Sequence, residues 1–388
     1  MAKGTLRWRL APAIVLMLLE AACAGGTGGA GATGVSPTLT VGGPSGGATG
    51  RLVTTGRLSV PRADQTATLL PNGDVLIAGG MARNGAFYSS AEIYHPASNS
   101  FTPTGSMSSE RVGQRAILLG TGKVLITGGW GGGGVLSSAE LYDPATGRFS
   151  ATGSMLTKRD GQVVALLSDG RVLVASGYDG HTYVTSAEIY DPGTGKFSTT
   201  GSLHTPLSGP AITLKTGKVL ISGGATDIGG AYTAFAEAEL YDPASGKFAQ
   251  TGRMTQPREK HSATLMADGR VLITGGNASS AWQGLYSSSE IYDPARGTFA
   301  ASGGMDAARF KHGDSVALLS DGRVLVAGGA DHPETYDPAT NAFIRVNGRY
   351  DEARYFMTAT ALRNGQALIV GGYNRGIEAT TAAWIYQP

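Results

Sequence analysis

Cysteine is almost absent from this sequence. Cys23 stands alone among 388 residues, close to the amino terminus. A disulfide needs a second thiol, so disulfides are excluded, and the chain beyond Cys23 has neither a cysteine nucleophile nor a cysteine-based metal site. Packing and sheet pairing alone must therefore hold that part of the protein together.

Charge is also scarce. Only 15% of the residues are charged, the net charge is +2, and the two signs are interspersed without a long run of either. A basic or acidic surface large enough to predict a nucleic-acid partner is therefore not indicated. The longest apolar run, Leu10–Leu19, is too short to span a bilayer. No segment after it has a convincing helical period.

The amino terminus has the pattern of an export signal. Lys3, Arg7 and Arg9 precede the run Leu10–Leu19, as in the positively charged and apolar regions of a signal peptide. Residues 1–23 are therefore predicted to be a signal peptide of an exported protein, either secreted or held as a periplasmic or cell-surface lipoprotein. Residues 24–50 are mostly Gly, Ala, Thr and Ser, which predicts a flexible spacer.

Two processing routes remain open at Cys23. The segment Ala22–Ala24 fits ordinary cleavage between small residues, which would leave a soluble protein. The segment Leu19–Cys23 resembles a bacterial lipobox, in which Cys23 would become a lipidated first residue. Glu20 departs from that pattern because an aliphatic residue is usual there. A lipid on Cys23 would be the protein's only membrane attachment.

Glycine, at 60 residues, marks an internal repeat. A Gly-Gly or Ser-Gly pair recurs at intervals of 43 to 53 residues and follows two β-rich runs joined by a short glycine turn. The pairs are Gly79-Gly80, Gly128-Gly129, Ser176-Gly177, Gly223-Gly224, Gly275-Gly276, Gly328-Gly329 and Gly371-Gly372. A second hairpin with an Asp-Pro turn completes each unit, as in Ser138–Gly153. Four short strands per unit, labelled a to d in chain order, predict propeller blades.

The repeat count predicts seven blades. Seven Tyr-x-Pro turns occur, at Tyr94, Tyr142, Tyr190, Tyr241, Tyr292, Tyr336 and Tyr386. The last has no following outer strand, whereas the segment Arg51–Gly56 matches the outer strand Lys196–Gly201. Residues 51–388 are thus predicted to be an all-β, seven-bladed propeller with four antiparallel strands per blade, whose amino-terminal strand completes the last blade.

The double glycine, the Tyr-Asp-Pro turn and the aromatic residue about seven positions later resemble kelch repeats, especially the bacterial form. The resemblance covers residues 51–388. It implies the fold but not one function, because kelch propellers include enzymes, scaffolds and adhesion modules.

One face of the ring is predicted to vary between blades. The a–b and c–d turns are uniform, whereas 6 to 16 residues separate the double glycine from the strand-c tyrosine. Variable loops on a rigid scaffold are where binding residues concentrate. We therefore expect a monomeric binding module whose partner is an unidentified protein or glycan. Trp130 and Trp282 are candidate contacts in these loops, although such aromatics could also merely cover neighbouring blades.

A repeated cation precedes the innermost strands. Arginine stands seventeen residues before the double glycine at Arg62, Arg111, Arg159, Arg258 and Arg354, whereas Pro206 and Lys311 hold that register in the fourth and sixth units. These cations could form a ring at the channel mouth that binds a carboxylate, a phosphate or an acidic peptide. Related kelch domains bind acidic peptides in this way. Alternatively, they pair within the sheets with the strand-c glutamates Glu92, Glu140, Glu188, Glu239, Glu290 and Glu334.

Residues that break the repeat are the better ligand candidates. They are Trp130, Asp160, Lys260, His261, Arg309, Phe310, His312, Asp314 and Tyr355. His261 and His312 occupy equivalent positions of neighbouring units, but a third ligand is missing, so no metal and no cofactor is predicted.

Two further functions compete with a binding module. One is a carbohydrate-modifying enzyme, similar to a kelch-type sialic-acid mutarotase, that acts at the channel mouth, although no catalytic residue is evident. The other is a structural surface protein without a ligand. The copper chemistry of galactose oxidase, which the resemblance also suggests, requires a cysteine-crosslinked tyrosine. No cysteine follows Cys23, so that chemistry is excluded.

Overall fold

The computed structural model describes residues 50–82, 85–228, 230–279, 282 and 284–388. The predicted signal peptide, Cys23 and all of the spacer except Gly50 lie outside these residues. The described residues form seven four-stranded antiparallel sheets and two small hairpins, without an α-helix. No helix capable of crossing a bilayer occurs in this part of the chain.

Each sheet is one blade, with its first strand innermost. Blade 1 consists of β2 (Thr66–Leu69), β3 (Val75–Ala78), β4 (Ala91–His95) and β5 (Ser100–Pro103), and blade 2 consists of β6 (Arg115–Leu118), β7 (Val124–Thr127), β10 (Ala139–Asp143) and β11 (Arg148–Ala151). Blade 3 consists of β12 (Val163–Leu166), β13 (Val172–Ala175), β14 (Ala187–Asp191) and β15 (Lys196–Thr199), and blade 4 consists of β16 (Ala211–Thr213), β17 (Val219–Ser222), β20 (Ala238–Asp242) and β21 (Lys247–Gln250). Blades 5 to 7 are β22 (Ser262–Leu265), β23 (Val271–Thr274), β24 (Ser289–Asp293), β25 (Thr298–Ala301); β26 (Val316–Leu318), β27 (Val324–Val326), β28 (Glu334–Asp337), β29 (Ala342–Arg345); and β30 (Thr358–Ala361), β31 (Ala367–Val370), β32 (Ala383–Gln387), β1 (Arg51–Thr54).

The blades form a closed ring. The innermost strands contact one another in sequence from blade 1 to blade 7, and β30 of blade 7 contacts β2 of blade 1. The amino-terminal strand β1 pairs antiparallel with β32, with Leu52 opposite Tyr386 and Val53 opposite Ile385. The predicted seven-bladed propeller and its closure by the amino-terminal strand are therefore confirmed.

The hydrophobic core lies between neighbouring blades. The second strand of each blade is an apolar run that is buried along its whole length, as in β7 and β13. Such strands face apolar neighbours on both sides, so their apolar residues are continuous and do not alternate with polar ones. For example, Leu125 of blade 2 packs with Val172 and Val174 of blade 3.

The strand-c tyrosines also link the blades. The Tyr142 hydroxyl lies 2.9 Å from Thr104 Oγ1, at the end of the outer strand of the preceding blade. The same contact joins Tyr94 to Thr55 at 3.2 Å, across the junction where β1 closes the ring. Each of these rings also packs against the phenylalanine of its own outer strand, as Tyr142 does with Phe149 at a centroid distance of 4.8 Å.

The b–c loops differ between blades, as expected for the variable face. Blade 2 carries the hairpin β8 (Trp130–Gly131) and β9 (Gly134–Val135), and blade 4 carries β18 (Ala225–Ile228) and β19 (Ala231–Ala234). In blade 6 only a short segment separates the double glycine from β28. These loops surround the channel opening described next.

Candidate functional site

A cavity of about 420 Å³ occupies the mouth of the central channel on the variable-loop face. Residues from all seven blades line it, from the links that precede the innermost strands, from those strands themselves and from the b–c loops. Its charged lining residues are Asp64, Arg115, Asp160, Glu259, Lys260, Lys311 and Asp314. The cavity therefore gathers charges of both signs at the centre of the ring.

Link residues with left-handed backbone conformation form the rim of this cavity. They are Asp64, Gly113, Gly161, Lys260, Lys311 and Phe356, with φ between 49° and 66°. Their backbones are joined in places from blade to blade: the amide of Phe356 donates to the Lys311 carbonyl at 2.8 Å, and that of Asp64 donates to the Phe356 carbonyl at 3.1 Å. Left-handed conformation is unfavourable for residues with a Cβ, and such strain tends to concentrate at functional sites.

Two carboxyl groups of the cavity have raised pKa values. Burial raises the pKa of Asp64 to about 6, although the nearby Arg115 acts in the opposite direction. Burial, followed by the charge of Asp64, raises the pKa of Asp160 to about 7. Gly113 separates the two groups: its amide faces Asp64, and a Cβ at Gly113 would collide with Asp160 Oδ1. Asp160 and Asp64 therefore influence each other's ionisation near neutral pH.

Two ion pairs lie in the same cavity. Arg115 Nη1 is 3.5 Å from Asp314 Oδ2, and this pair joins blade 2 to blade 6. Lys260 Nζ is 3.5 Å from Glu259 Oε1. On the wall formed by blade 3, Tyr178 and Tyr183 pack with their ring centroids 5.3 Å apart. Ionic, hydrogen-bonding and aromatic groups are thus available to one ligand.

Lys311 has a different environment. Its side chain lies in a cage of aromatic rings, and its Nζ is 4.6 Å from the ring centroid of Trp282 and 5.5 Å from that of Phe356. The same Nζ donates a hydrogen bond to Tyr373 Oη at 3.0 Å. Burial, assisted by the charge of Lys260, lowers the pKa of Lys311 to about 7.

The repeated arginines lie elsewhere, inside the blades. Five of them are at most 1% exposed and pair with the strand-c glutamate of their own blade. The pairs are Arg62–Glu92 at 3.3 Å, Arg111–Glu140 at 3.0 Å, Arg159–Glu188 at 3.0 Å, Arg258–Glu290 at 3.0 Å and Arg309–Glu334 at 2.7 Å. The pairing predicted as the alternative to a ligand site is therefore present, and the cavity does not include these guanidinium groups.

Blades 4 and 7 depart from this pairing. In blade 4 the ring of His204 takes the place of the guanidinium, with Nδ1 2.9 Å from Glu239 Oε2. In blade 7, where Trp384 replaces the glutamate, Arg354 pairs with the adjacent Asp351 at 2.8 Å and Glu352 at 3.1 Å.

The assignment of register in blade 6 was wrong by two residues. Arg309, and not Lys311, occupies the arginine position, since its Nη1 donates to the Gly328 carbonyl as Arg258 Nη1 does to that of Gly275. A turn at Gly313 and Asp314 lengthens this link. The insertion shifts the spacing and also places Asp314 in the cavity.

His261 and His312 are buried between blades. His312 Nε2 lies 3.1 Å from Thr274 Oγ1, at the end of the second strand of the preceding blade. Burial lowers the pKa of both imidazoles to about 3, with the charges of Arg258 and Arg309 acting in the same direction on His261 and His312, respectively. Both rings are therefore neutral at physiological pH.

The aromatic candidates pack in one apolar cluster of the variable face. Tyr355 is buried and lies edge-on to Trp282, with centroids 4.6 Å apart. Trp130 is half-buried, and its backbone bridges to Val112. Of the residues considered as ligand contacts, the cavity brings together Asp160, Lys260, His261, Lys311 and Asp314, while Trp282 and Tyr355 pack behind Lys311.

Several cavity residues were not predicted as ligand contacts. Asp64, Arg115 and Glu259 were missed, whereas Asp160 and Asp314 were among the candidates that break the repeat. A usable signal lies two positions after each repeated arginine, where the blades carry Asp64, Gly113, Gly161, Lys260, Lys311 and Phe356 in succession. A position that varies this strongly inside a regular repeat serves something other than the blade.

Comparison with known proteins supports the fold. The kelch motif model matches residues 115–156 and 162–204, which lie in blades 2 and 3 and the link that follows. No curated protein matches the chain by sequence. A solved structure described as a novel fungal alcohol oxidase with catalytic diversity among the AA5 family, in complex with copper, is similar over 88% of this chain and 76% of its own, at 17% identity and a TM-score of 0.69.

That likeness concerns the fold alone. The described residues bring no three histidine, cysteine, aspartate or glutamate side chains into a group that could hold a metal. No cysteine follows Cys23 either, so we derive no step through copper. The chain is therefore a seven-bladed β-propeller of four-stranded sheets, of which two successive blades match the kelch motif.

Proposed function

We propose that this protein is a binding module that works outside the cytoplasm and takes up a protein or a glycan on its variable-loop face. The observation that carries the proposal is the cavity at the channel mouth, to which all seven blades contribute. A concave site with a few convergent polar groups is the usual form of a binding site.

The chemistry of the cavity fits a polar ligand with some apolar surface. Carboxylates and cations can hydrogen-bond to sugar hydroxyls or to peptide groups, and Tyr178 and Tyr183 offer ring faces for packing. The residues that follow the repeat build the blades, as the arginine–glutamate pairs do. Several residues that depart from it, such as Asp160, Lys260 and Asp314, line the cavity.

Binding to arrays of glycans and to purified extracytoplasmic proteins tests this proposal. The double variant Lys260→Ala, Asp314→Ala removes one cation and one carboxylate from the cavity and should weaken binding at least about tenfold, the equivalent of about 1.4 kcal/mol. The matched control is Lys123→Ala, Asp169→Ala on the opposite face, where both side chains are similarly exposed. Equal binding by the two double variants would reject the cavity as the site.

One observation favours a second candidate function, a carbohydrate-modifying enzyme. Asp64 and Asp160 are neighbouring carboxyl groups whose pKa values, about 6 and about 7, lie in the range suited to general acid–base catalysis. Mutarotation of sialic acid, followed by NMR, would distinguish the candidates. Turnover that is lost in Asp160→Asn while sugar binding is retained would favour the enzyme; absence of turnover in the unmodified protein would reject this substrate.

Export and anchoring belong to the same proposal. The basic and apolar pattern before Cys23 supports passage through a membrane, and Leu19–Cys23 supports lipidation. Mass spectrometry of the mature amino terminus tests both. A diacylated Cys23 is expected for an anchored module, whereas retention of residues 1–23 would contradict export.

A further inference from the structure

The amine of Lys311 is held in a setting that differs from that of the other cavity lysine. Lys260 stands two positions after its blade arginine and pairs with Glu259 at 3.5 Å. Lys311 stands two positions after Arg309, but its Nζ contacts the hydroxyl of Tyr373 and aromatic rings. In the described part of the chain, Glu259 and Asp64 act on Lys311 only over longer distances.

This environment favours the neutral amine. Only 3% of Lys311 is exposed, so its ammonium form loses most of its hydration. The rings of Trp282, Phe310, Phe356 and Tyr373 compensate in part through cation–π attraction, with centroids 4.6 to 5.6 Å from Nζ. Burial and Lys260 nevertheless hold the pKa of Lys311 near 7, so at physiological pH a large fraction of the amine carries a free lone pair.

Lys311 is also one of the residues that line the cavity, together with Phe356, whose ring centroid is 5.5 Å from Nζ. We propose that Lys311 captures a carbonyl ligand as an imine, the ligand being an aldehyde or ketone such as the open-chain reducing end of a sugar. This inference rests on the proposed function to the extent that the same cavity admits the ligand.

The capture reaction balances without an oxidant or reductant. The lone pair of Lys311 Nζ forms a bond to the carbonyl carbon, and the C=O π electrons move to oxygen, which takes up a proton. The resulting carbinolamine expels that oxygen as water when the oxygen takes up a second proton. The nitrogen loses its two amine protons over the whole reaction and is left in a C=N bond. Burial holds the pKa of Tyr373 well above its usual value, so its hydroxyl stays protonated and is placed to exchange protons with the reacting oxygen.

Reductive trapping tests the proposal. The folded protein is incubated at pH 7 with glycolaldehyde and sodium cyanoborohydride, which reduces an imine to a stable secondary amine, and labelled lysines are quantified by peptide mass spectrometry. Lys311 should be labelled about tenfold or more faster than Lys260, since its lowered pKa leaves a large fraction of its amine neutral at this pH. Labelling of Lys311 no faster than Lys260 would overturn the proposal.

Two variants separate chemistry from structure. Tyr373→Phe keeps the ring and removes the hydroxyl, so labelling of Lys311 should slow severalfold while the thermal unfolding midpoint remains close to that of the parent protein. Lys311→Arg keeps a cation in the aromatic cage and cannot form an imine; total labelling of the cavity should then fall to the level of Lys260. Undiminished cavity labelling in Lys311→Arg would contradict the assignment.

The two proposals fail in different ways. If Lys311 is not labelled but the Lys260→Ala, Asp314→Ala variant loses binding to its glycan or protein, covalent capture is wrong and the binding module stands. If Lys311 is labelled but neither a glycan nor a protein binds, the reactive amine stands and the binding module is wrong.

Discussion

A guanidinium group buried in a protein loses hydration worth several kcal/mol, and only well-placed acceptors can offset that loss. Arg111 shows how the blades meet this requirement. Its Nη1 donates to the carbonyls of Gly128 and Ser138 at 3.0 Å, and its Nη2 donates to Ser138 Oγ at 2.9 Å and Glu140 Oε1 at 3.0 Å. The other oxygen of Glu140 accepts the backbone amide of Ser108. One buried pair thus holds the link, the loop and strand c of a blade together.

Removing one partner of this pair should be strongly destabilising. Arg111→Met leaves Glu140 buried without its cation, and we expect the free energy of unfolding to fall by about 3–5 kcal/mol. The surface pair of Lys123 and Asp143 provides the control, because Lys123→Ala should cost about 1 kcal/mol or less. Urea unfolding at neutral pH measures both. Equal losses would show that the buried pair has no special structural role.

This pairing also shows how far sequence could predict the site. The recurrence of arginine and glutamate in fixed register predicted both a cationic ring and internal pairs, because spacing alone does not tell which way a side chain points. In blade 6 an insertion of two residues changed the spacing, so the fixed register pointed to Lys311 although Arg309 occupies the arginine position. Asp64 was missed, and its closeness to Asp160 could not be predicted, because the two residues stand about a hundred residues apart and meet only in the closed ring.

At the scale of elements, the third residue after the buried arginine joins the innermost strand to the preceding blade in blades 1, 2, 3, 5 and 6. In blade 3, Gln162 Nε2 donates to the carbonyl of Thr127 at 2.7 Å and lies 3.2 Å from its hydroxyl. His312 occupies the corresponding place before the innermost strand of blade 6, where it contacts Thr274. The same inter-blade contact is therefore made by the amide of Gln162, which does not titrate, and by the imidazole of His312, which can take up a proton.

The histidine contact should make the protein sensitive to acid. The folded pKa of His312, about 3, lies below its unfolded value of about 6.5, so the unfolded chain binds the extra proton as the pH falls from about 6.5 towards 3. The stability that depends on neutral His312 is full above pH 6.5 and is lost through that window. His312→Gln should remove about 2 kcal/mol of the loss between pH 7.5 and pH 5.

Urea unfolding of His312→Gln and of the unmodified protein at pH 7.5 and pH 5 measures this difference. The reciprocal variant, Gln162→His, is the matched control and should introduce new acid sensitivity in blade 3, because it places a titratable ring against Thr127. Identical pH dependence in all three proteins would show that the buried imidazole does not titrate between the folded and unfolded states.

At the scale of the whole molecule, ring closure could be predicted because it is a matter of counting. Six outer strands follow seven Tyr-x-Pro turns, and the segment Arg51–Gly56 supplies the missing strand. Repeats fold as one unit copied many times, so the fold follows from local signals repeated along the chain. The cavity does not follow in this way. It is formed at the centre by residues from seven different blades, and its charged members are departures from the repeat.

The outer strand β1 differs from every other outer strand in how the chain connects it to its blade. In blade 3 a short turn connects β14 to β15, whereas β1 and β32 lie at opposite ends of the described chain. Bringing distant segments together costs more chain entropy than closing a short turn. Leu52 and Val53 compensate by packing in the cores on both sides of blade 7. The junction should therefore be the weakest point of the ring.

Proline substitution at equivalent positions of β1 and β15 tests whether the β1 junction is weaker than an ordinary outer strand. Val53 faces Ile385 as Ser198 faces Ile189, and proline at either position removes a backbone donor from the outer ladder. In Ser198→Pro the strand stays tethered by its turn, so the loss should remain local. In Val53→Pro the strand should detach, which uncovers the edge of β32 and breaks the contact between Thr55 and Tyr94.

Limited proteolysis with trypsin under native conditions distinguishes the two outcomes. Cleavage after Arg51 and Arg57 should accelerate about tenfold or more in Val53→Pro and remain at the parent rate in Ser198→Pro, since the cleavable population follows the free energy of local opening. Size-exclusion chromatography should also show association of Val53→Pro through the uncovered edge. If both variants are cleaved at the parent rate and remain monomeric, closure does not depend on the pairing of β1, and the ring is held by its inter-blade cores alone.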